Sequence, residues 1–243
     1  MSDTSFHLHF IDRERRRIEL KMNEVSSLYP LNVLPDNLLD AIANLTEGEE
    51  TREGQMRLLW YSPANKPTIS TFNMDKPFPI NSAKKSVRLV LTDKEIDNKL
   101  DFLEGKLLSW QGMDYDDTID DRIQTFNELY LDDSKIDRFM IGAVEMFGDT
   151  TYQNILRDPR VTMNFYCPKS AIHESFSYQI NAIAEIVQPG DPYFRYMTVM
   201  RTLFAREFMS LRSPSYVCAY RFWISEVIDK TLQPKPGFVP EAN

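Results

Sequence analysis

Alternation of apolar and polar residues marks strands in the second half of the chain. Residues 174–187 alternate over their whole length, so that their apolar side chains share one face of an extended segment. Residues 138–147 and 160–167 are short apolar runs typical of strands, and residues 215–228 alternate again. Apolar residues at helical spacing over 194–211 predict a helix between the last two strands. This half of the chain is therefore predicted to be mainly β.

The first half of the chain mixes helical and extended patterns. Residues 11–27 and 34–45 are predicted as helices, so that residues 1–50 form an N-terminal helical segment. Residues 56–62 and 67–74 are predicted as two strands of one hairpin, because a turn-like tetrad joins them. The order of the elements, with several strands, short turns and few connecting helices, predicts a single domain over all 243 residues. Its class is α+β, mainly β, as an antiparallel barrel or sandwich with peripheral helices.

An acidic helical insertion is predicted at residues 93–137, directly after a strand at 86–92. The insertion contains 14 acidic and 5 basic residues, a net charge of −9, whereas the whole chain has a net charge of −8. Thr92 and Glu95 have the spacing of a capping box, which marks a helix start. Apolar residues at helical spacing predict that the insertion docks on the barrel. It either borders the ligand pocket as a lid or forms a solvated face elsewhere.

The composition argues against several classes of function. A net charge of −8 and a single short basic run at 13–17 disfavour nucleic acid as a partner. No apolar run approaches the ~18 residues of a membrane helix, and the N-terminus lacks the pattern of a signal peptide. We therefore expect a cytoplasmic protein with no membrane partner. Cys167 and Cys218 lie in apolar strand-like runs without metal-ligand spacing, which predicts two buried free thiols.

Sequence motifs for self-contained chemistry are missing. The eight glycines form neither a dinucleotide-binding fingerprint nor a P-loop, and no nucleophile elbow is present. The Asp-rich run at 114–121 does not have the spacing of a calcium loop, so no metal site is predicted. If the protein is an enzyme, a bound cofactor supplies its reactivity. No catalytic residue is assigned from the sequence.

Two stretches of the sequence carry a resemblance to a known family. These are GDTTYQNILRDPRVTMNFY at 148–166 and YQINAIAEIVQPGDP at 178–192. They resemble the FMN-binding split β-barrel family, the pyridoxamine 5′-phosphate oxidase-like proteins. In that family a hydroxyl-rich turn and a short helix precede a D-P-R-V strand opening, here at 158–161, and a later strand ends in a phrase such as A-E-I-V, here at 184–187.

The resemblance covers residues 34–91 and 138–230 and leaves the acidic insertion outside the common pattern. It implies a split antiparallel β-barrel that forms a homodimer and binds FMN at the dimer interface. It also implies cofactor-binding roles for nine residues. They are Thr150, Thr151 and Asn154 near the phosphate and ribityl chain, Ser70, Thr71, Phe72 and Asn73 beside the flavin ring, and Arg221 and Trp223 on the last strand, closing the site.

The pair Thr150 and Thr151 has two possible roles. A flavin phosphate needs several hydrogen-bond donors, which hydroxyls and backbone N–H groups at a helix start provide with little bulk. Alternatively, Thr150 only caps a helix over 151–157 and needs no ligand. Family members commonly have a cation near this position, whereas here the nearest following cation is Arg157. Three other residues are candidates to supply the positive charge from elsewhere: Lys84, Lys85 and Arg88.

The function that the resemblance implies is flavin-dependent oxidoreduction of a small molecule. FMN would shuttle hydride, and the protein would bind and orient the flavin. The alternative is a non-catalytic split-barrel binding protein that holds haem, a deazaflavin or no cofactor. In that case the acidic insertion would serve as a surface for a partner.

Overall fold

The computed structural model describes residues 6–22, 24–169, 174–204 and 216–232. In chain order the elements are β1 (Phe6–Asp12), β2 (Arg17–Met22), β3 (Val25–Pro30), α1 (Asp36–Ala43), α2 (Arg52–Tyr61), β4 (Thr68–Phe72), β5 (Ile80–Lys84), β6 (Arg88–Leu91), α3 (Asp93–Ser109), α4 (Tyr115–Leu129), β7 (Ile136–Glu145), α5 (Thr150–Ile155), β8 (Arg160–Cys167), β9 (Phe176–Val187), α6 (Pro192–Thr202) and β10 (Cys218–Asp229). Within these ranges no helix combines the length and the apolar character needed to cross a membrane.

The strands of the described ranges form two antiparallel sheets. The small sheet has the order β1-β2-β3, and the large sheet has the order β5-β4-β8-β9-β10-β7-β6. All ladders are antiparallel, with β9 and β10 at the centre of the large sheet. The predicted α+β class, mainly β with peripheral helices, is therefore confirmed.

The large sheet is curled into an open barrel. Its two edge strands, β5 and β6, are consecutive in the chain and are joined by residues 85–87. Three linking residues span at most ~14 Å between the ends of the two strands. A flat sheet of seven strands would separate its edges by roughly 29 Å, since neighbouring strands lie about 4.8 Å apart. The sheet must therefore bend until its two edges approach each other, as a split barrel requires.

The strands predicted from alternation are present. β8 pairs with β9 along the full length of β8, from Arg160↔Ile183 to Cys167↔Phe176, and β10 pairs with both β9 and β7. Cys167 and Cys218 are buried free thiols, as predicted. The helix predicted over 194–211 is present as α6, and the part of that range beyond residue 204 lies outside the described residues.

The N-terminal segment was predicted wrongly. Residues 11–22 and 24–27 belong to the small sheet and not to a helix, so that among the described residues only α1 supports the helical segment proposed for residues 1–50. Within β2, Ile18 and Leu20 are buried between exposed or half-buried polar residues, which is a period of two and not of 3.6. Residues 13–16 of the basic run form the turn between β1 and β2, where Arg16 has a φ of +51°, and Arg17 is the first residue of β2.

The hairpin predicted from residues 56–62 and 67–74 is also absent. Residues 56–61 belong to α2, whose first turn is capped by Thr51 through a hydrogen bond from the Gly54 N–H. β4 pairs with β5 and β8 instead. A short apolar run fits a helix or a strand equally well. Here Thr51, which lies upstream of the run, caps a helix, and the run belongs to that helix.

The acidic insertion folds and docks as predicted. The Thr92 hydroxyl accepts a hydrogen bond from the Glu95 N–H and caps α3, as the predicted capping box requires of the Thr. The face of α3 that carries Ile96, Leu100 and Leu103 is buried, and α3 packs against α6.

Helix α6 packs against β7 and β10 of the large sheet, and it approaches β7 at a glycine. A Cβ at Gly142 of β7 would lie 2.6 Å from the Met197 Sδ and 2.7 Å from the Tyr193 Oη. The Tyr193 hydroxyl cannot easily move, because it donates a hydrogen bond of 2.8 Å to the Tyr220 carbonyl. Gly142 is thus needed for the close approach of α6 to the sheet.

We expect Gly142→Ala to lower the free energy of unfolding by about 1–3 kcal/mol, because the added methyl group overpacks the contact with α6. Gly105→Ala is the matched control, since a Cβ at Gly105 of α3 would meet nothing within 4 Å. The control should gain about 0.5–1 kcal/mol from the higher helix propensity of Ala. Denaturant unfolding measures both variants. Equal stabilities of Gly142→Ala and Gly105→Ala would contradict the close approach of α6 to the sheet.

Candidate functional site

The α5 cavity, as we name it, lies where the end of β5 meets the start of α5. It has a volume of about 380 Å³. Thr150 and Thr151 line it from α5, and Lys84 and Lys85 line it from the end of β5 and the link to β6. Other lining residues that bear polar groups are Asn81, Ser86, Glu145, Asp149 and Arg201. Two of the predicted site residues therefore share a cavity with two of the candidate cations.

The two threonines have free hydrogen-bonding capacity toward this cavity. Asp149 occupies the N-cap position of α5 without a side-chain cap bond, and Thr150 is the first helical residue. Capping is therefore not the role of the Thr150 hydroxyl. The Thr151 Oγ1 accepts a hydrogen bond of 3.1 Å from the Asn81 Nδ2. Because a hydroxyl both accepts and donates, the Thr151 O–H remains available as a donor.

A buried carboxylate fixes Lys85 at the cavity. Glu145 is 5% exposed and lies 2.7 Å from the Lys85 Nζ. It also accepts hydrogen bonds from the Tyr220 hydroxyl at 2.9 Å and from the Phe147 and Gly148 N–H groups at 3.1 and 3.3 Å. Burial acts to raise the pKa of Glu145, but the charge of Lys85 and these hydrogen bonds outweigh it and lower the pKa. The carboxylate is therefore held ionised.

The glycine in the turn after β7 is required by this arrangement. Gly148 has a φ of +70°, a conformation that side chains with a Cβ disfavour. This conformation lets its N–H donate to Glu145 immediately before α5 begins. The turn thus connects the buried ion pair to the helix that carries Thr150 and Thr151.

Asn154 joins α5 to β4 through a buried amide network. Its Oδ1 accepts a hydrogen bond of 3.1 Å from the Asn73 Nδ2, and its Nδ2 donates one of 3.1 Å to the Thr71 Oγ1. Asn154 is 2% exposed and is not among the residues that line the α5 cavity. In this chain its contacts position α5, whereas the prediction placed it near the phosphate and the ribityl chain.

Three of the four residues predicted beside the flavin ring lie at a second depression, the outer groove, and the fourth, Asn73, does not line it. Ser70, Thr71 and Phe72 line this groove, which has a volume of about 420 Å³. Apolar and aromatic residues form part of its other walls: Tyr29, Ile80, Val161, Ala182 and Ile183. The polar residues of these walls are Asp158, Arg160, Thr162, Gln179, Asn181, Ser225 and Glu226. Thr71 therefore borders the groove while its hydroxyl is bonded to Asn154, next to the helix that lines the α5 cavity.

Arg221 and Trp223 lie elsewhere on the molecule. Arg221 pairs with Asp93 at 3.0 Å and with Glu185 at 3.8 Å. The Trp223 Nε1 donates a hydrogen bond of 2.8 Å to Glu185, and the guanidinium of Arg13 lies over its ring. Neither Arg221 nor Trp223 lines the α5 cavity or the outer groove. Within one copy of the chain, they are not brought together with the other predicted residues.

The acidic insertion does not cover either depression. No residue of 93–137 is among those that line the α5 cavity or the outer groove. The insertion is instead attached to α6, where Arg195 pairs with Glu104 at 2.5 Å. The expectation that it acts as a lid over the ligand pocket is therefore wrong for these two depressions, because its apolar stripe packs on α6.

We expect Lys85→Met to destabilise the protein by about 2–3 kcal/mol, because it leaves the buried Glu145 carboxylate without its cation. Lys85→Met combined with Glu145→Gln should recover most of this loss, since the remaining amide carries no charge.

Wild-type stability should also fall as the pH drops below 4.5, the ordinary pKa of a Glu, toward the lower folded-state pKa of Glu145. Thermal unfolding across pH measures both effects. Additive losses in the double variant would refute the pairing.

Comparison with protein-family models gives no match, and no curated protein matches the chain. Several solved structures match. HupZ from Group A Streptococcus has 12% identity, a TM-score of 0.39 and coverage of 74% of this chain and 94% of that chain. An FMN-binding protein from Syntrophomonas wolfei has 10% identity and a TM-score of 0.41, and the match covers 81% of this chain and 88% of that chain.

A pyridoxamine 5′-phosphate oxidase-like protein from Lactobacillus delbrueckii has 13% identity and a TM-score of 0.38, and the match covers 81% of this chain and 93% of that chain. At these scores the fold assignment rests on the strand order and the curvature of the large sheet.

Proposed function

We propose that the protein binds FMN with the flavin phosphate in the α5 cavity and acts as a flavin-dependent oxidoreductase on a small molecule. One observation carries this proposal. Two hydroxyls of α5, from Thr150 and Thr151, share a cavity with two ammonium groups, from Lys84 and Lys85. The motif around Thr151 has no nearby cation in the sequence, and Lys84 and Lys85, at the end of β5 and just after it, bring cations to the same cavity.

The donor set of the α5 cavity fits a phosphate group. A phosphate monoester carries a charge of about −1.5 to −2 at neutral pH and three acceptor oxygens. Hydroxyls and ammonium groups are donors that match it, and ionised donors form the stronger hydrogen bonds. The dipole of α5 contributes little, because this helix has only six residues. Lys84, for which the described residues supply no ion pair, therefore provides the uncompensated charge, whereas Lys85 offers the N–H donors that its ion pair with Glu145 leaves free.

When bound, FMN supplies hydride transfer, and the chain binds and orients it. Glu145 holds Lys85 in place through the ion pair of 2.7 Å. Burial raises the pKa of Cys167 and of Cys218 to about 12, so neither thiol is a nucleophile at neutral pH. We assign no proton-transfer role to Glu145, because its partners keep it ionised.

We further propose that a second copy of the chain completes the site in a homodimer. Four large apolar residues are exposed on β4, β5 and the segment that joins them, beside the outer groove. They are Phe72 at 37%, Met74 at 74%, Phe78 at 88% and Ile80 at 65% exposure. Exposed apolar residues concentrated on one hairpin suit a surface that a partner covers, and a two-fold symmetric dimer is the commonest arrangement.

The alternative function is a non-catalytic binding protein with the same barrel. One observation favours it: the acidic insertion exposes Phe102, Leu108 and Met113 by 54%, 69% and 53%. Acidic surfaces with exposed apolar residues suit a basic, apolar protein partner. A purified protein with flavin absorption supports the oxidoreductase. A protein that shows no such absorption and does not take up added FMN supports the alternative.

We expect Thr151→Val to weaken FMN binding by about 1–2 kcal/mol, because it removes one hydrogen bond to a charged group. Riboflavin is the internal control, since it has no phosphate and its affinity should not change. Calorimetric titration of both flavins measures the difference, and thermal unfolding without flavin checks that the variant is folded. An unchanged FMN affinity would remove Thr151 from the phosphate site.

We expect light scattering to give the mass of a dimer at micromolar concentration with FMN present. Phe78→Asp places a charge on the proposed interface at a residue that is 88% exposed in the single chain, so the fold of the chain should tolerate it. The variant should shift the mass toward that of a monomer and weaken FMN binding. A wild-type monomer that binds FMN fully would rule out the interfacial site.

A further inference from the structure

Arg201 brings a third cation to the α5 cavity from a different element. It lies in the last turn of α6, four residues after Met197, which lies against Gly142 of β7. Residues four apart share a face of a helix, and one helical turn advances by about 5.4 Å. Val144 and Glu145 follow Gly142 on β7 after an advance of about 7–10 Å along the strand. In keeping with these two advances, Arg201, Val144 and Glu145 line the same cavity.

Arg201 is not paired with either carboxylate of this cavity. The two oxygens of Glu145 already accept two hydrogen bonds each. These bonds use the four acceptor sites of a carboxylate, so that none is left for a further cation. Asp149 lines the cavity from an exposed position. Within the described part of the chain, no carboxylate forms an ion pair with Arg201.

The guanidinium of Arg201 is therefore able to bind a ligand. The side chain is half-buried, and it donates no hydrogen bond to another described residue. A cation near the C-terminal end of a helix is favoured by the helix dipole, and this is the role that Arg201 would have without a ligand. The two roles differ in what a substitution changes, which is either the affinity for an anion or only the stability of the fold.

The α5 cavity is larger than a phosphate group requires. Its volume of about 380 Å³ is many times the ~30 Å³ that a water molecule occupies in the liquid, whereas a phosphate consists of one phosphorus and four oxygens. The four residues of the proposed phosphate site lie on α5 and at or just after the end of β5, whereas Arg201 enters from α6. The cavity therefore has both the space and a separate donor for a second anionic group.

We propose that Arg201 binds an oxyanion of the substrate, a carboxylate or a phosphate, in the same cavity as the flavin phosphate. A guanidinium forms paired hydrogen bonds with either group. The substrate is thus an anionic small molecule, and Arg201 selects it by charge. This inference rests on the proposed FMN-binding role of the α5 cavity.

Sulfate is the probe, because its charge is constant near neutral pH. We expect the FMN-saturated protein to bind sulfate saturably in calorimetric titrations at constant ionic strength. Arg201→Gln should weaken sulfate binding by about tenfold or more, the effect of losing charge-assisted hydrogen bonds, and should leave the FMN affinity unchanged. Arg201→Lys keeps the charge but not the planar pair of donors, so its sulfate affinity should lie between those of Arg201→Gln and the wild type.

Arg195→Gln is the matched control, because it removes an arginine of the same helix that pairs with Glu104 instead. Its sulfate affinity should equal that of the wild type. An equal loss in Arg195→Gln and Arg201→Gln would overturn the proposal, since sulfate would then respond only to the net charge of α6.

Thermal unfolding separates binding from a structural role of Arg201. A strongly lowered melting temperature of Arg201→Gln together with unchanged sulfate binding would show that Arg201 only stabilises the end of α6, and would overturn the proposal. Arg201→Lys keeps a cation at this helix end, so it reports on sulfate binding even where Arg201→Gln does not fold.

The flavin titrations distinguish a failure of this inference from a failure of the proposed function. A wild type that binds FMN but then takes up no sulfate refutes the second anion site and leaves the cofactor role intact. If Arg201→Gln weakens the binding of FMN but not of riboflavin, Arg201 belongs to the flavin phosphate, and the inference is again refuted. If the wild type does not bind FMN at all, the proposed function fails and the inference fails with it.

Discussion

The link between β5 and β6 is the constraint on which the rest of the structure depends. Because residues 85–87 must connect the two edges of a seven-stranded sheet, the sheet has to curl. Curling brings the end of β5 close to the end of β7 and to the turn that starts α5. Both the α5 cavity and the ion pair between Lys85 and Glu145 follow from this single connection.

The buried ion pair in turn organises the candidate site. A buried carboxylate is stable only with a cation and hydrogen bonds around it, and Glu145 receives both. The same contacts fix the turn at Gly148 and the orientation of α5. The amide network of Asn154 fixes the other side of this short helix to β4. A six-residue helix, too short to be stable alone, is thus held at both ends by buried polar contacts.

Helix α6 links the barrel to the acidic insertion. It approaches the sheet at Gly142, and its outer side carries Arg195, which pairs with Glu104 of the insertion. Its last turn carries Arg201, which reaches the α5 cavity. The charge of the molecule is therefore strongly divided. The insertion carries the acidic surplus, with a net charge of −9 against −8 for the whole chain.

The sequence alone determined the type of the central strands, because β9 and β10 are long enough for alternation to be visible and β8 is an apolar run typical of a strand. The capping residue Thr92 and the docking of the insertion were likewise readable from local pattern. Shorter segments were not, since the strands within 11–27 and the helix over 52–61 have apolar runs that suit either structure.

Only the tertiary structure decided how the site is composed. Thr151 was identified from its motif, but the lysines that share its cavity lie more than sixty residues earlier, and their proximity depends on the curling of the sheet. Glu145 and Arg201 carry no local signal at all, because their roles arise from burial and from neighbours on other strands and helices. Pairing across a curved sheet is a property of its topology, and local periodicity does not encode topology.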